Sequence, residues 1–369
     1  MSGRLRELSA VHGQSPWLDN LQRSFFASGH LDAMIDRGVR GLTSNPTIFQ
    51  KAIQGSTDYD AQFVSEMRKG LTHVEAYWEL VVADIHSALD HFAGLHADSD
   101  GTDGFVSVEV DPRLANDGES TLSAARALHE RIARPNVMIK IPATQEGLGA
   151  IRTMISEGRN VNVTLIFSLD RYEAVMESYI GGLEDRAAAG YPVSGIASVA
   201  SFFISRVDNE VDKRLEAIGT APALALRGTA AVNQARLAYD LFRRTFSGPR
   251  WDALAARGAQ VQRPLWASTS TKNLAYPDTL YVDSLIGPNT VNTLPDATLE
   301  AFDDHGTPGR TIDVSVDTAR AQWAALADVG VETPQVAAQL EREGVASFIA
   351  SFDELIAALE AKASAIGAP

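Results

Sequence analysis

Lys140 lies in the middle of an apolar run, Asn136 to Ala143, flanked by Met138, Ile139 and Ile141. A lysine in such a run invites a chemical reading. Taking an ammonium out of water favours its neutral form, and a neutral amine is a nucleophile toward carbonyl carbon. The alternative is a strand-edge lysine whose head reaches solvent along its own aliphatic stem. Polar residues recur at corresponding places in neighbouring runs. Glu109 stands among valines in 105–111, Asn162 and Thr164 alternate with Val161, Val163 and Leu165, Asp19 follows Trp17-Leu18, and Asn45 follows Thr43-Ser44. Each has a second reading too. Asp19 or Asn20 suits a helix cap, Asn45-Pro46 a turn, and Glu109 the solvated face of an antiparallel strand.

The elements that would position these residues follow from periodicity. Short β-branched or alternating runs predict strands over 16–20, 41–47, 105–111, 136–143, 161–167, 195–203, 263–269 and 280–286. Between them the spacing is helical. The stretch 59–92 reads as two helices broken near Gly70-Leu71-Thr72, Ser120 opens a helix, Gly147 to Gly158 forms another, and Ser168 caps the next. Further helices begin near Arg206 and Thr229. After a loop over Gly306 to Gly309, three more are expected, with Thr333-Pro334 as a start and Phe348, Phe352, Ile356 and Leu359 as a buried stripe.

Eight strands separated by helices imply a parallel sheet, and eight close a barrel. The expected fold is α/β, a single (β/α)8 TIM barrel with extra helices, forming one domain over 1–369 with helical additions after about 310. Such barrels collect their sites at the carboxyl ends of the strands, where Asp19, Asn45, Glu109, Lys140, Asn162 and Thr164 all fall.

Composition removes other classes of function. Against 32 Lys plus Arg stand 47 Asp plus Glu, a net charge of −15, which argues against nucleic acid or an anionic membrane as partner. With no cysteine there is neither a disulfide nor a thiolate nucleophile. His86, His91 and His96 lie five apart, off the spacing that puts two ligands on one helical face, so no metal is expected there. Residues 1–14 lack an apolar core of the secretory kind and no run approaches a membrane span, which predicts a cytoplasmic protein. Gly147-x-Gly149 with Asp170 downstream has the outline of a dinucleotide fingerprint, but Arg152 occupies the third glycine position.

Four stretches together resemble the transaldolase family: Thr43-Ser44-Asn45-Pro46-Thr47, Val108-Glu109-Val110-Asp111, Ile139-Lys140-Ile141-Pro142-Ala143, and Asn162-Val163-Thr164-Leu165-Ile166-Phe167-Ser168. Their order and spacing match from about Pro16 to His305. The resemblance implies a Schiff-base enzyme without cofactor, moving a dihydroxyacetone unit between sugar phosphates in the non-oxidative pentose phosphate pathway (the pentose shunt) of carbohydrate metabolism. It implies that Lys140 forms the imine, that Glu109 moves protons through a water held by Thr164, and that Asp19 takes the C4 hydroxyl proton. Asn45, Asn162 and Ser201 resemble the positions that hold substrate hydroxyls. Arg206, Ser270 and Lys272 match the phosphate anchor, where many relatives carry arginine in place of Lys272. Phe203 stands where related fructose 6-phosphate aldolases, which release free dihydroxyacetone, place a tyrosine. The partners so implied are sugar phosphates, with no nucleic acid and no membrane, and a homo-oligomer is an assembly the sequence allows. A non-catalytic barrel acting as a binding protein is the reading from another class.

Overall fold

Strand-forming residues along the chain pair in strict sequence order until the last strand meets the first. The computed structural model of the chain describes residues 3–365. Its eight parallel strands are β1 (Gln14–Leu18), β2 (Gly41–Thr43), β3 (Phe105–Glu109), β4 (Val137–Pro142), β5 (Val161–Ile166), β6 (Ser198–Phe203), β7 (Arg263–Ala267) and β8 (Thr290–Leu294), and they form a closed barrel. This is a (β/α)8 barrel. Alternation assigns the two faces of each strand. On β4 Val137, Ile139 and Ile141 are wholly buried beneath the surrounding helices, while Met138, Lys140 and Pro142 look inward. Register then sets the inward residues side by side: Glu109 pairs with Lys140, and Lys140 with Asn162.

The helices begin where local chemistry supplies the missing acceptors. Thr72 and Glu75 form a reciprocal capping box that opens His73–Asp98, after a break at Gly70 between this helix and Asp60–Arg68. Ser168 accepts from the Arg171 N–H to start Leu169–Ala188. The helix expected to open at Ser120 instead runs over Gly118–Ile132, because Asp117 is its cap and accepts the Ser120 N–H.

Two further expectations are corrected. The apolar run 280–286 is not the eighth strand. Leu280–Asp283 is a single helical turn, and the barrel is closed by β8 (Thr290–Leu294), which pairs with β1 and β7. Leu280, Tyr281, Val282, Leu285 and Ile286 are apolar because they pack in or against the core, an environment a short run shares with strands. After Gly309 there are two helices among the described residues, not three: Val316–Asp328 and the long Thr333–Ala365. Continuous helix replaces the expected break because nothing in 333–365 stops it, Gly344 included.

That C-terminal helix has 33 residues, about 50 Å at the usual rise. It packs on Pro46–Gln54, on His73–Asp98 and on Ser205–Ile218, the first and last of which begin at the carboxyl ends of β2 and β6. Phe352 meets Tyr77 edge-on at 5.4 Å, and the Thr47 and Ser351 hydroxyls are 2.8 Å apart. The stripe of phenylalanines therefore faces the mouth of the chain's own barrel.

The remaining motifs have structural uses. His86 Nε2 lies 2.9 Å from the Ile132 carbonyl, His91 is paired with Asp32, and His96 Nδ1 lies 2.8 Å from the Asp103 carbonyl. Gly147 starts a helix whose first turn approaches the Pro142 carbonyl so closely that a Cβ would lie 2.1 Å from it, and Arg152 pairs outside with Asp185. Among the described residues no helix is long and apolar enough to cross a membrane.

Candidate active site

Lys140 projects from the middle of β4 into the barrel with 6% of its side chain exposed. Its Nζ donates to the Ser44 carbonyl at 2.9 Å and stands 3.2 Å from Glu109 Oε2. The Glu109 side chain is 4% exposed, and Oε2 makes no hydrogen bond of good direction, so the contact is electrostatic proximity more than a directed bond. Burial pushes the Glu109 carboxyl above the usual range; the Lys140 charge opposes this and the Asp19 charge adds to it. The desolvating wall is specific. Val110, Pro112, Pro142 and Leu165 line a small space beside Glu109, with Val345 and Phe348 supplied by the C-terminal helix.

Asp19 follows β1 directly and turns into the same cavity, where Thr43 donates to Oδ1 at 2.7 Å. Thr43 is in turn 2.6 Å from Thr293 on β8. Asn20, not Asp19, takes the local structural role, accepting the Leu21 N–H and donating to Asp296 at 2.5 Å. Burial raises the Asp19 carboxyl as well, against the Thr43 bond and the Lys140 charge, which lower it.

On β5 the ladder slips between Val163 and Ile166, and Leu165 adopts a left-handed φ of 60°. A bulge at a barrel rim re-aims its neighbour. Here that neighbour is Thr164, whose buried Oγ1 has no protein partner and which lines the cavity. Deeper in, Asn162 is fixed on both sides: it donates to Ser107 Oγ at 3.0 Å and accepts from Ser201 Oγ at 2.7 Å. Asn45 caps Pro46–Gln54 by accepting the Ile48 N–H, as the turn reading expects, and the same residue lines the cavity.

Across the mouth, Phe203 ends β6 and Arg206 begins the helix after it. The Arg206 guanidinium lies 5.3 Å from the Phe203 ring centre, and no carboxylate among the described residues pairs with it. Its burial works against the charged form, eased by Glu343. Lys272 donates to Ser270 Oγ at 2.6 Å from the loop after β7. The cavity, about 340 Å³, thus joins Asp19, Asn45, Lys140, Thr164, Ser201, Phe203, Arg206, Ser270 and Lys272. Of the remaining expected residues, Glu109 is beside Lys140 and Asn162 lies beneath Ser201, outside the cavity wall. Asp111 is not brought in; it pairs with Arg113 at the start of a short turn.

Sequence reasoning missed Thr43, Lys51, Ser268, Thr293 and Phe348, which also line the cavity. Thr43 lies within the Thr43-to-Thr47 stretch that carries the resemblance, two residues before Asn45, and was there to be found. Phe348 could not, since its stripe fits any apolar partner.

A buried amine, a buried and a half-buried carboxyl of raised proton affinity and a cationic rim, assembled at the carboxyl end of a (β/α)8 barrel, have the placement of an enzyme's active site. Comparison with known proteins narrows the class. A family model for transaldolase/fructose-6-phosphate aldolase matches residues 16–359. The transaldolase of Frankia alni is 51% identical over 358 residues, covering 96% of each chain. Transaldolase 1 of Streptomyces coelicolor is 50% identical over 360 residues, 97% of this chain and 94% of that one, and the Thermobifida fusca transaldolase is 51% identical over 358 residues, 96% and 97%. The chain belongs to the transaldolase/fructose-6-phosphate aldolase family. It is an enzyme of the transaldolase type, a transferase (EC 2.2.1.2).

Proposed function

We propose that the protein transfers a dihydroxyacetone unit from a ketose phosphate, sedoheptulose 7-phosphate or fructose 6-phosphate, to an aldose phosphate, glyceraldehyde 3-phosphate or erythrose 4-phosphate, through an imine on Lys140. The observation that carries this reading is the Lys140 amine held between the Ser44 carbonyl and Glu109 at the foot of a cavity whose rim bears Arg206. Lys140 Nζ adds to the C2 carbonyl to give a carbinolamine. Glu109, helped by a water that Thr164 Oγ1 can hold, protonates the departing hydroxyl, and water leaves as the imine forms. Asp19 takes the C4 hydroxyl proton, the C3–C4 bond breaks, and the aldose phosphate departs as an aldehyde. The bonding pair is left as an enamine on Lys140. Addition of that carbon to the acceptor aldehyde, with the Asp19 proton returned to the new hydroxyl, reverses the sequence, and hydrolysis frees Lys140.

Asn45, Asn162 and Ser201 suit hydroxyls of the bound unit, and Arg206, Ser270 and Lys272 a terminal phosphate dianion. Phe203 offers no hydroxyl to assist release, which favours transfer over aldol cleavage alone. The activity belongs to the non-oxidative pentose phosphate pathway and to the cytoplasm. Borohydride reduction in the presence of fructose 6-phosphate, followed by peptide mass mapping, tests the reading. A reduced three-carbon adduct on Lys140, absent from a folded Lys140→Ala variant that also lacks turnover, is the expected result; no adduct, or turnover by the variant, overturns it.

A further inference from the structure

A second cavity opens at the other end of the barrel. About 560 Å³ opens at the amino ends of the strands, against about 340 Å³ at the candidate active site. Met138 forms part of its wall, two residues before Lys140 on the same inward face of β4. The two cavities are therefore stacked along the barrel axis and separated by the side chains between.

Three ionisable residues line it: Arg40 just before β2, Asp103 just before β3 and Arg263 at the start of β7. Arg263 Nη1 donates to Ser15 Oγ at 2.9 Å and to Asp103 Oδ1 at 3.2 Å, and its Nη2 donates to the Thr102 carbonyl at 2.6 Å. Ser15 Oγ donates to Asp103 Oδ1 at 2.6 Å. Arg40 Nε donates to Asp103 Oδ2 at 3.1 Å, and the two Nη atoms of Arg40 have no protein acceptor among the described residues. Asp103 thus serves two guanidiniums, and the outer fork of one is left facing the cavity. A clamp that only tied strand ends together would be complete with one arginine per carboxylate. This one carries a surplus positive charge, in a chain whose net charge is −15.

We infer that this mouth is a second ligand site, distinct from the candidate active site, which binds the phosphate group of a small phosphate monoester on the open fork of Arg40, with Arg263 adding charge beside it. An open guanidinium fork matches two phosphate oxygens at once. The volume lies in the range of sites for organic ligands, and Asn289, together with the polar side chains around it, can meet hydroxyls of the organic part.

Calorimetric titration at fixed ionic strength, with inorganic phosphate and with glycerol 3-phosphate as probes, tests this. Both are run on a protein whose candidate active-site anchor is removed, Arg206→Met with Lys272→Met. One saturable site per chain remains there, binding glycerol 3-phosphate more tightly than inorganic phosphate, and adding Arg40→Met weakens it at least tenfold. Absence of saturable binding in the anchor-less protein overturns the inference, as does binding that survives Arg40→Met. Equal affinity for the two probes overturns the monoester assignment. Should Arg40→Met fail to fold, Arg40→Lys keeps a cation beside Asp103 while losing the fork, and it must show the same weakening.

Discussion

Tyr281 Oη donates to Asp208 Oδ2 at 2.8 Å, and both residues are 1% exposed. Asp208 Oδ1 accepts the Ala231 N–H at 2.7 Å. Burial pushes the Asp208 carboxyl from its ordinary 3.8 up to about 6, opposed by the Ala231 and Tyr281 bonds and reinforced by Asp212. A group whose folded value is raised contributes stability that is present below its unfolded value and lost as pH rises through the folded one. Here the window runs from 3.8 to about 6. Ionising Asp208 within the fold therefore costs roughly 3 kcal/mol by the time the pH is well above 6, at about 1.36 kcal/mol per pH unit. The tyrosine hydroxyl holds that cost down, because a bond to an ionised acceptor is worth more than a neutral one.

Tyr281→Phe removes the donor and leaves the ring. Above the window Asp208 is a carboxylate and the loss is roughly 1.5–3 kcal/mol; below it the acid is neutral and the loss falls to about 1 kcal/mol. Urea denaturation of wild type and variant at pH 8 and pH 5, compared at unchanged slope, reads the difference. The variant is expected to lose more at pH 8 than at pH 5. Equal losses at the two pH values, or a larger one at pH 5, would refute the linkage. The same bond has a functional reading. Asp208 lies two residues beyond Arg206, and Tyr281 lies in the segment after β7 that also carries Ser270 and Lys272. Tyr276 makes a parallel bond to Asp212 at 2.6 Å. These two bonds tie together the halves of the proposed phosphate anchor, so Tyr281→Phe should raise KM for fructose 6-phosphate with little change in kcat.

Glu109→Gln should slow imine formation by roughly 10²–10⁴-fold, measured as the rate of borohydride-trapped adduct, while the adduct still maps to Lys140. Phe348→Ala opens the wall that desolvates Glu109 and lowers its carboxyl toward the ordinary range, so the limb of the pH–rate profile that reports Glu109 moves to lower pH; Phe348→Leu should leave it in place, and an unmoved limb in the alanine variant sinks the assignment. Arg206→Met should raise KM for fructose 6-phosphate by roughly 10- to 100-fold, the worth of a charged hydrogen bond, at an unchanged urea midpoint; a midpoint lowered together with activity would mean that Arg206 serves the fold. Gly41→Ala places a Cβ 2.6 Å from the Trp17 ring inside the barrel and should cost about 1–3 kcal/mol by overpacking, read as a lowered urea midpoint.

What the sequence made legible, and what it hid, divides along one physical line. Lys140 and Glu109 were readable because each breaks the rule of its surroundings, an ionisable group in a run that otherwise buries every side chain. The strands around them were readable because Val106 and Val108, like Ile139 and Ile141, keep the period of an element covered by helices. β8 fails that test. Thr290, Asn292 and Thr293 are all buried: Thr293 looks into the barrel and reaches Thr43 across 250 residues, while Thr290 and Asn292, on the opposite face, bond to Gln14 and to the Tyr281 carbonyl outside the barrel. A strand polar on both faces looks like a loop, and the nearby apolar run 280–286 fits a strand better on its sequence alone. Phe348 hides for the opposite reason. It obeys the rule of an amphipathic helix, and nothing local distinguishes a phenylalanine that seats the helix from one that also dries the buried Glu109 carboxyl. Candidate catalytic groups such as Lys140 and Glu109 stand out in sequence as violations. Groups that tune them conform to their own element, and their effect exists only once the last helix has crossed the barrel and set Val345 and Phe348 against Glu109.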